Sequence, residues 1–467
     1  MRRELLDRTA AGLTFMFGVV AIAVAVHALG RPAMPPVLDP TGGFADDGWT
    51  RSCRTAVLLV TGLAAVGLVR APGLRRVAAL LALLGAGAGV VLAAGALELP
   101  TLWGGIALAT TLAPLAIVLA DTRRSAARHA LTSLLLGALA SGILALSFLA
   151  LAALSGSTHV LEIGFQVTRF EDSAPFALTA VRAVAVAVAM LAAWAPFHLA
   201  LPELWGEGSS PLAAWHAVVW PWAGWSVLVR LSGGLAPALE EWGFDGVSAV
   251  SLFLVLGALL PGAAALAEDR LGRLFALLGI GVLSELLLSV HARGLDPQAV
   301  ASGLWGYALA WIAGAAALAG VRARVGDDRL ERLLGLSARL PRTALAVAVA
   351  ALLWAGLPGT FSLAVRWSLW QEGATSPLVL VAVAGGGLLR VLAVARLVAM
   401  LYFRAPAGTP TGTPTGTIEP ALMPHWYERG RWGLVFVAAL AIEVALALGA
   451  QPWATRLLTL DPVLYGG

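Results

Sequence analysis

The chain has 467 residues, 59% of them hydrophobic and 12% charged, with a mean hydropathy of +0.85. So apolar a composition excludes an ordinary soluble globular domain and places the chain in a membrane. The formal net charge is +4 and every basic residue is arginine, scattered in short segments with no long basic run. That excludes a nucleic-acid-binding tail and makes the charge a statement about topology. The single cysteine, Cys53, excludes an internal disulfide and a thiolate cluster for iron–sulfur or zinc, so no cofactor is expected.

Apolar runs of about 20 residues, each able to cross a hydrocarbon core of about 30 Å as a helix, recur along the whole chain. They predict about 13 spans, near 9–29, 54–70, 77–97, 101–120, 130–153, 176–200, 211–232, 246–267, 271–291, 299–321, 342–370, 378–401 and 432–450. The first is read as an uncleaved anchor. Residues 405–425, with "GTPTGTPTGT", read as a flexible connection before the last span.

Arginine placement orients these spans, because short cytoplasmic connections are enriched in basic residues. One alternating set of connections holds Arg2, Arg3 and Arg8; Arg70, Arg75 and Arg76; Arg123, Arg124 and Arg128; Arg270 and Arg273; and Arg322 through Arg342. The other set features Glu98, Glu240, Glu241, Asp245, Asp296 and Glu372, although Arg31, Arg51, Arg54, Arg169 and Arg293 also fall there. The expectation is a cytoplasmic N-terminus in a multi-pass protein of the bacterial inner membrane.

One stretch breaks the apolar pattern: "WAPFHLALPELWGEGSSP", residues 194–211. Pro196 and Pro202 remove helix donors at the end of one span, and Pro211 and Pro221 are expected to disturb the next. The stretch is either a loop between helices or unwound backbone lining a cavity, as in ion and proton carriers.

"APFHLALPELWGEGSSPLAAW" resembles the PFH-containing segment of the antiporter-like membrane subunits of respiratory complex I, a group shared with Mrp-type cation/proton antiporters, and is closest to their subunit N branch. The stretches "RRSAARHALTSLLLGALASG", "ALAEDRLGRLFALLGIG", "GDDRLERLLGLSARLP" and "WAGLPGTFSLAVRW" resemble further motifs of that family in the family's order, over residues of about 105 to 400. The resemblance implies an all-α polytopic fold with two inverted five-helix repeats, each with an interrupted helix. The corresponding division is 1–100 for N-terminal helices, 101–232 and 246–401 for the repeats, and 402–467 for the connection and last helix. It also implies a mid-membrane line of ionisable groups.

Carried over residue by residue, that line is degenerate. The family's glutamate falls on Ala109, its lysine before the PFH motif on Leu191, the lysine of the next helix on Pro221, and its histidine on Val282. Arg230 matches the family's arginine and supports the placement of Pro221. Only the lysine after the "GLP" turn has a basic counterpart, Arg366, and arginine stays charged where a relay lysine must release its proton.

Other polar residues then become candidates for a proton path. Glu285 lies in an apolar run and is either a displaced relay group or the structural partner of an arginine. His198 is the motif histidine and either titrates or bonds a loop carbonyl; His216, early in the next helix, is the candidate titrating replacement in the first repeat. Glu203 and Glu207 either cap a helix or attract protons at a channel mouth. Arg182, Arg390 and Arg396 are expected to snorkel to the interface, and Glu443 to face another subunit. Most of the 17 tryptophans are expected in an interfacial belt, with Trp215, Trp220, Trp222 and Trp225 dense enough to plug a cavity.

The resulting expectation is an antiporter-like subunit of a proton-translocating NADH/quinone or Mrp-type assembly, non-catalytic by itself and with a degenerate relay. Its expected partners are other membrane subunits and protons or monovalent cations, with no metal and no nucleic acid. The alternatives are a non-conducting scaffold of such an assembly, or the membrane partner of an inorganic-carbon uptake system.

Overall fold

A computed structural model describes residues 2–29, 37–38, 42–68, 73–121, 123–167, 174–194, 197, 201–207, 210–241, 249–293, 296–356, 363, 377–404, 436–437 and 439–441. Arg31, Arg70, Arg169, Pro196, His198, Asp245, Arg366, Glu372, Glu443 and the 405–425 connection lie outside them.

The described chain is almost entirely helical: α1 (Arg2–Leu29), α2 (Gly48–Leu68), α3 (Gly73–Gly95), α4 (Leu99–Ala120), α5 (Arg124–Ser155), α6 (Val160–Val167), α7 (Ala174–Leu191), α8 (Leu201–Glu207), α9 (Ser210–Glu241), α10 (Ala249–Ala267), α11 (Leu271–Arg293), α12 (Pro297–Val325), α13 (Leu336–Arg339), α14 (Pro341–Ala355) and α15 (Pro377–Tyr402). A small antiparallel hairpin, β1 (Val37–Leu38) and β2 (Ala45–Asp46), pairs Val37 with Asp46 and Leu38 with Ala45 before α2. Eight of these helices are long and apolar enough to span a bilayer, and α1, α7, α10 and α14 carry shorter apolar stretches. Among the described residues that makes twelve candidates, with residues 436–441 inside the thirteenth expected span.

Local chemistry sets where these helices begin. α2 starts six residues before its apolar run because Asp47 caps it: the Thr50 backbone N–H donates to Asp47 Oδ1 at 2.9 Å. Asp296 caps α12 through the Gln298 N–H, with Pro297 following where no amide donor is required. Pro211 sits in the first turn of α9 for the same reason, and α9 continues through Pro221. The expected disturbance there is absent, since losing one amide donor does not end a helix whose flanking turns are packed.

The break is earlier than the prolines suggest. α7 ends at Leu191 and Ala193 adopts a left-handed conformation at φ +61°, while the Trp194 N–H reaches back to the Ala189 carbonyl at 2.9 Å. This is a Schellman-type ending with alanine where glycine is usual. Trp194 then packs edge-on against Trp225 of α9, with ring centroids 5.2 Å apart, which holds the turn in place.

Short connections make the long helices run up and down. At one end, backbone hydrogen bonds join Leu97 to Gly43, Leu99 to Thr158 and Val160 to Leu97. At the other, they join Leu271 to Asp328, Leu330 to Asp269 and Gly335 to Met400. The second end, the arginine-rich end, collects Arg75, Arg76, Arg123, Arg124, Arg128, Arg270, Arg273, Arg322, Arg324, Arg329, Arg332, Arg339, Arg342 and Arg396. α3 and α4 approach so closely that a Cβ at Gly105 would lie 2.5 Å from the Gly89 carbonyl oxygen, the small-residue packing expected where apolar surroundings give no hydrophobic drive.

The tryptophans among the described residues depart from the expectation of a belt. Trp49, Trp205, Trp215, Trp220, Trp222, Trp225, Trp311 and Trp354 are fully buried, while Trp103 is exposed. They fill the middle of the bundle because α9 and α12 are enclosed on nearly every side.

Candidate functional site

Three of the positions at which relay groups are expected come to one level. Ala109 on α4, Pro221 on α9 and Val282 on α11 each lie about 16 Å along their helix from the arginine-rich end, close to the middle of a 30 Å core. Leu191 closes α7 at the break. Ala109, Leu191 and Pro221 are buried and Val282 half-buried, and none can hold a proton. Against Gly279 of α11 the aromatic rings form a chain: Trp205 meets Trp311 with centroids 5.5 Å apart, Trp311 meets Trp354 at 5.6 Å, and Tyr307 meets Trp354 at 5.7 Å.

His216, six residues into α9, is buried about 9 Å from the arginine-rich end, nearer it than Pro221. Its Nε2 lies 2.8 Å from Ser133 Oγ on α5, and the Trp205 indole N–H of α8 donates to its Nδ1 at 3.2 Å. Trp220, one turn on, stacks on the ring at 4.2 Å between centroids. An indole nitrogen can only donate, so Nδ1 must accept, and the ring's single proton resides on Nε2, donating to Ser133. An imidazolium would aim a second N–H at the indole N–H. The geometry therefore selects neutral histidine tying α5, α8 and α9 together, a role with no signal along the chain, because Ser133 and Trp205 are ordinary helix residues until folding brings them to the ring.

The other buried ionisable residue of the candidate set, Glu285 on α11, accepts a hydrogen bond from Arg390 Nη2 of α15. Both side chains are almost wholly enclosed, 4% and 1% exposed. Arg390 is at the midpoint of α15 and does not snorkel. Its Nε and Nη1 have no hydrogen-bond partner among the described residues. Arg396 does lie near a helix end, where Nη1 donates to the carbonyls of Leu266 and Glu268 at 2.7 and 2.9 Å. Arg182 sits midway along α7, exposed on its outward stripe with Phe176, Thr179 and Val186.

Glu203 is at the surface of the arginine-rich end, 54% exposed and 3.8 Å from Arg273, and Glu207 closes α8. Gly206 of α8 packs directly on Arg273 and Gly272 of α11, and its carbonyl accepts a hydrogen bond from Arg322, which also pairs with Asp328 at 2.7 Å. The short helix after the break is thus fastened to α11 and α12, and so joins the two halves of the chain.

A buried ion pair at the opposite end was not foreseen. Arg230 of α9 grips Asp47 with two hydrogen bonds, Nη1 to Oδ2 at 2.7 Å and Nη2 to Oδ1 at 2.9 Å, and Nη2 also donates to Thr50 Oγ1 at 2.7 Å. The same aspartate caps α2, so one carboxylate serves a local and a long-range purpose. "DGWT" carried the local signal as a helix start; its partner lies 183 residues away.

Residues 97–391 match the sequence profile described as the NADH:quinone oxidoreductase/Mrp antiporter transmembrane family. Among curated relatives, NADH-quinone oxidoreductase subunit N of Gemmatimonas aurantiaca is 28% identical over 78% of this chain and 70% of its own length. The subunit N of Cereibacter sphaeroides is 28% identical over 96% and 91%. Among solved structures, a chain of respiratory complex I from Thermus thermophilus superposes with a TM-score of 0.74 at 23% identity, covering 97% of this chain and 95% of that one. A chain of the Mrp complex from a Dietzia species gives 0.73 at 17% identity, covering 99% and 94%.

Proposed function

The chain belongs to the NADH:quinone oxidoreductase/Mrp antiporter transmembrane family, and from that premise we propose that it is an antiporter-like, subunit N-like membrane subunit of a proton-translocating complex of the complex I or Mrp type, with its first half closed to protons. The observation that carries the closure is the His216 node. Five residues before Pro221 on α9, about 8 Å nearer the arginine-rich end, the buried imidazole is held neutral by Ser133 and Trp205 and wedged against Trp220. The names of the relatives support the assembly. Bacterial inner membrane is the compartment proposed, with the arginine-rich end and the N-terminus cytoplasmic.

Helix order supports the two inverted repeats. α10, α11, α12, α14 and α15 form a five-helix unit whose fourth member, α14, is short and ends in left-handed Gly356. The first repeat, expected over 101–232, holds α4, α5, α7 and α9; with α3 included it becomes a five-helix unit whose fourth member, α7, is the interrupted one. By alternation, every helix of the first unit then runs opposite to its counterpart.

The test is proton flux in proteoliposomes holding the purified assembly, with the other subunits identified by co-purification. His216→Phe at equal subunit abundance leaves flux unchanged if the first half is closed. A severalfold fall in flux with the assembly intact would show that His216 carries protons, and recovery of the chain without other membrane subunits would remove the assembly reading.

A further inference from the structure

The second half holds a buried charge pair that lies off the family's relay positions. Gly281 and Glu285 are one turn apart on α11 and so face the same way, toward α15. Gly281 leaves room for Arg390: a Cβ there would stand 3.0 Å from Nη1. The guanidinium thus lies along α11 with Nη2 on Glu285 and Nη1 over the glycine. By helix rise the pair is about 20 Å from the arginine-rich end, well inside a 30 Å core.

The remaining donors decide the chemistry. Arg390 Nε and Nη1 are buried and have no partner among the described residues. A permanently charged guanidinium does not leave two N–H groups unmet in an apolar interior. Since Glu285 already balances its charge, the acceptor that fits is neutral and small, which is internal water. The described helices packed on α11 are α8, α10, α12, α14 and α15. α10 carries no charged side chain; Glu203, Glu207, Arg322, Arg324, Arg342 and Arg396 belong to the arginine-rich end. On α11 itself, Arg273 is at that end and His291 and Arg293 at the other. Tyr307 of α12 lies against Gly279, on the opposite face of α11.

We propose that water bound at Arg390 Nε and Nη1 delivers protons to Glu285, making the Glu285–Arg390 pair the proton-accepting site of the second half. The bound water gives one proton to the carboxylate as it takes another from the aqueous side, so an O–H bond forms on Glu285 and the water stays neutral throughout, while Arg390 keeps its charge and its N–H groups donate to the water's oxygen in place of the carboxylate. Loss of the proton toward the other side restores the ion pair. The proposal rests on membership of a translocating assembly, but its geometry is independent of the closed first half.

Two readouts on the purified assembly test it: proton flux in proteoliposomes, and infrared difference spectra on acidification. Wild type shows a carboxylic-acid carbonyl band that is lost in Glu285→Gln and shifted in Gly281→Ala, whose new methyl presses on Arg390 Nη1 and so disturbs the water held there while leaving both charges. Flux falls severalfold in both at equal abundance. The proposal is overturned if no such band exists, or if Gly281→Ala and the double variant Glu285→Gln with Arg390→Gln both keep wild-type flux; the pair would then be a tie between α11 and α15. If the assembly itself transports nothing, the function above fails, while the infrared band still reports whether Glu285 takes a proton.

Discussion

Asp47→Asn isolates the charge of the Arg230 clamp from its helix-capping function. Asparagine keeps one side-chain carbonyl for the Thr50 N–H, so the start of α2 retains its cap. It loses the second acceptor oxygen and the negative charge that face Arg230 at 2.7 Å. Both side chains are buried, 2% and 0% exposed, so Arg230 cannot turn to water. Breaking a buried pair by removing one partner costs about 3–5 kcal/mol, chiefly from the uncompensated charge left behind. Asp47→Ala also removes the cap, about 1 kcal/mol more. Replacing both charges, Asp47→Asn with Arg230→Met, removes the uncompensated charge and recovers at least about 2 kcal/mol of the single-variant loss. The assay is denaturant unfolding of the detergent-solubilised protein followed by tryptophan fluorescence, because Trp49 and Trp222 stack 5.1 Å apart beside the clamp. A cost below about 1 kcal/mol for Asp47→Asn would refute the reasoning, as would a double variant no better than the sum of the singles.

Two further outcomes follow from the packing and the loop chemistry. Gly105→Val forces a side chain onto the Gly89 backbone, which cannot step aside as a side-chain tip could; it lowers stability by about 1–3 kcal/mol or more, whereas Gly104→Ala, with open space around it, is neutral in the same unfolding assay. Burial by itself would raise the Asp121 carboxyl, but the Arg123 side-chain and backbone hydrogen bonds and charge outweigh it and hold the group below its usual range. A depressed folded-state value means the pair adds stability above the ordinary carboxylate pKa and loses it as pH falls through the lowered value. Arg123→Ala therefore flattens the acid limb of the stability–pH curve and leaves the alkaline limb unchanged.

Particular residues show how far the sequence could be read. Apolar runs located nearly every long helix, because spanning a bilayer is a property of a contiguous segment and its backbone bonds close within it. The family resemblance, a line-up of short motifs, gave the positions at which relay groups are expected and apolar residues stand. It could not show that Ala109, Pro221 and Val282 share one depth, which requires the helices to run antiparallel and in register.

Membrane residence, the helical class and the family membership were thus determined by the sequence alone, since each depends on local composition or on order along the chain. Tertiary structure decided what the polar residues do. Glu285 meets Arg390 from 105 residues away, His216 meets Ser133 from 83, and Asp47 meets Arg230 from 183. Helical periodicity says which face a side chain occupies; the partner on the facing helix is chosen by packing, and a buried charge is tolerated only where packing supplies that partner. The tryptophans among the described residues followed the same rule, most of them going to the interior, where the enclosed helices α9 and α12 have volume to fill.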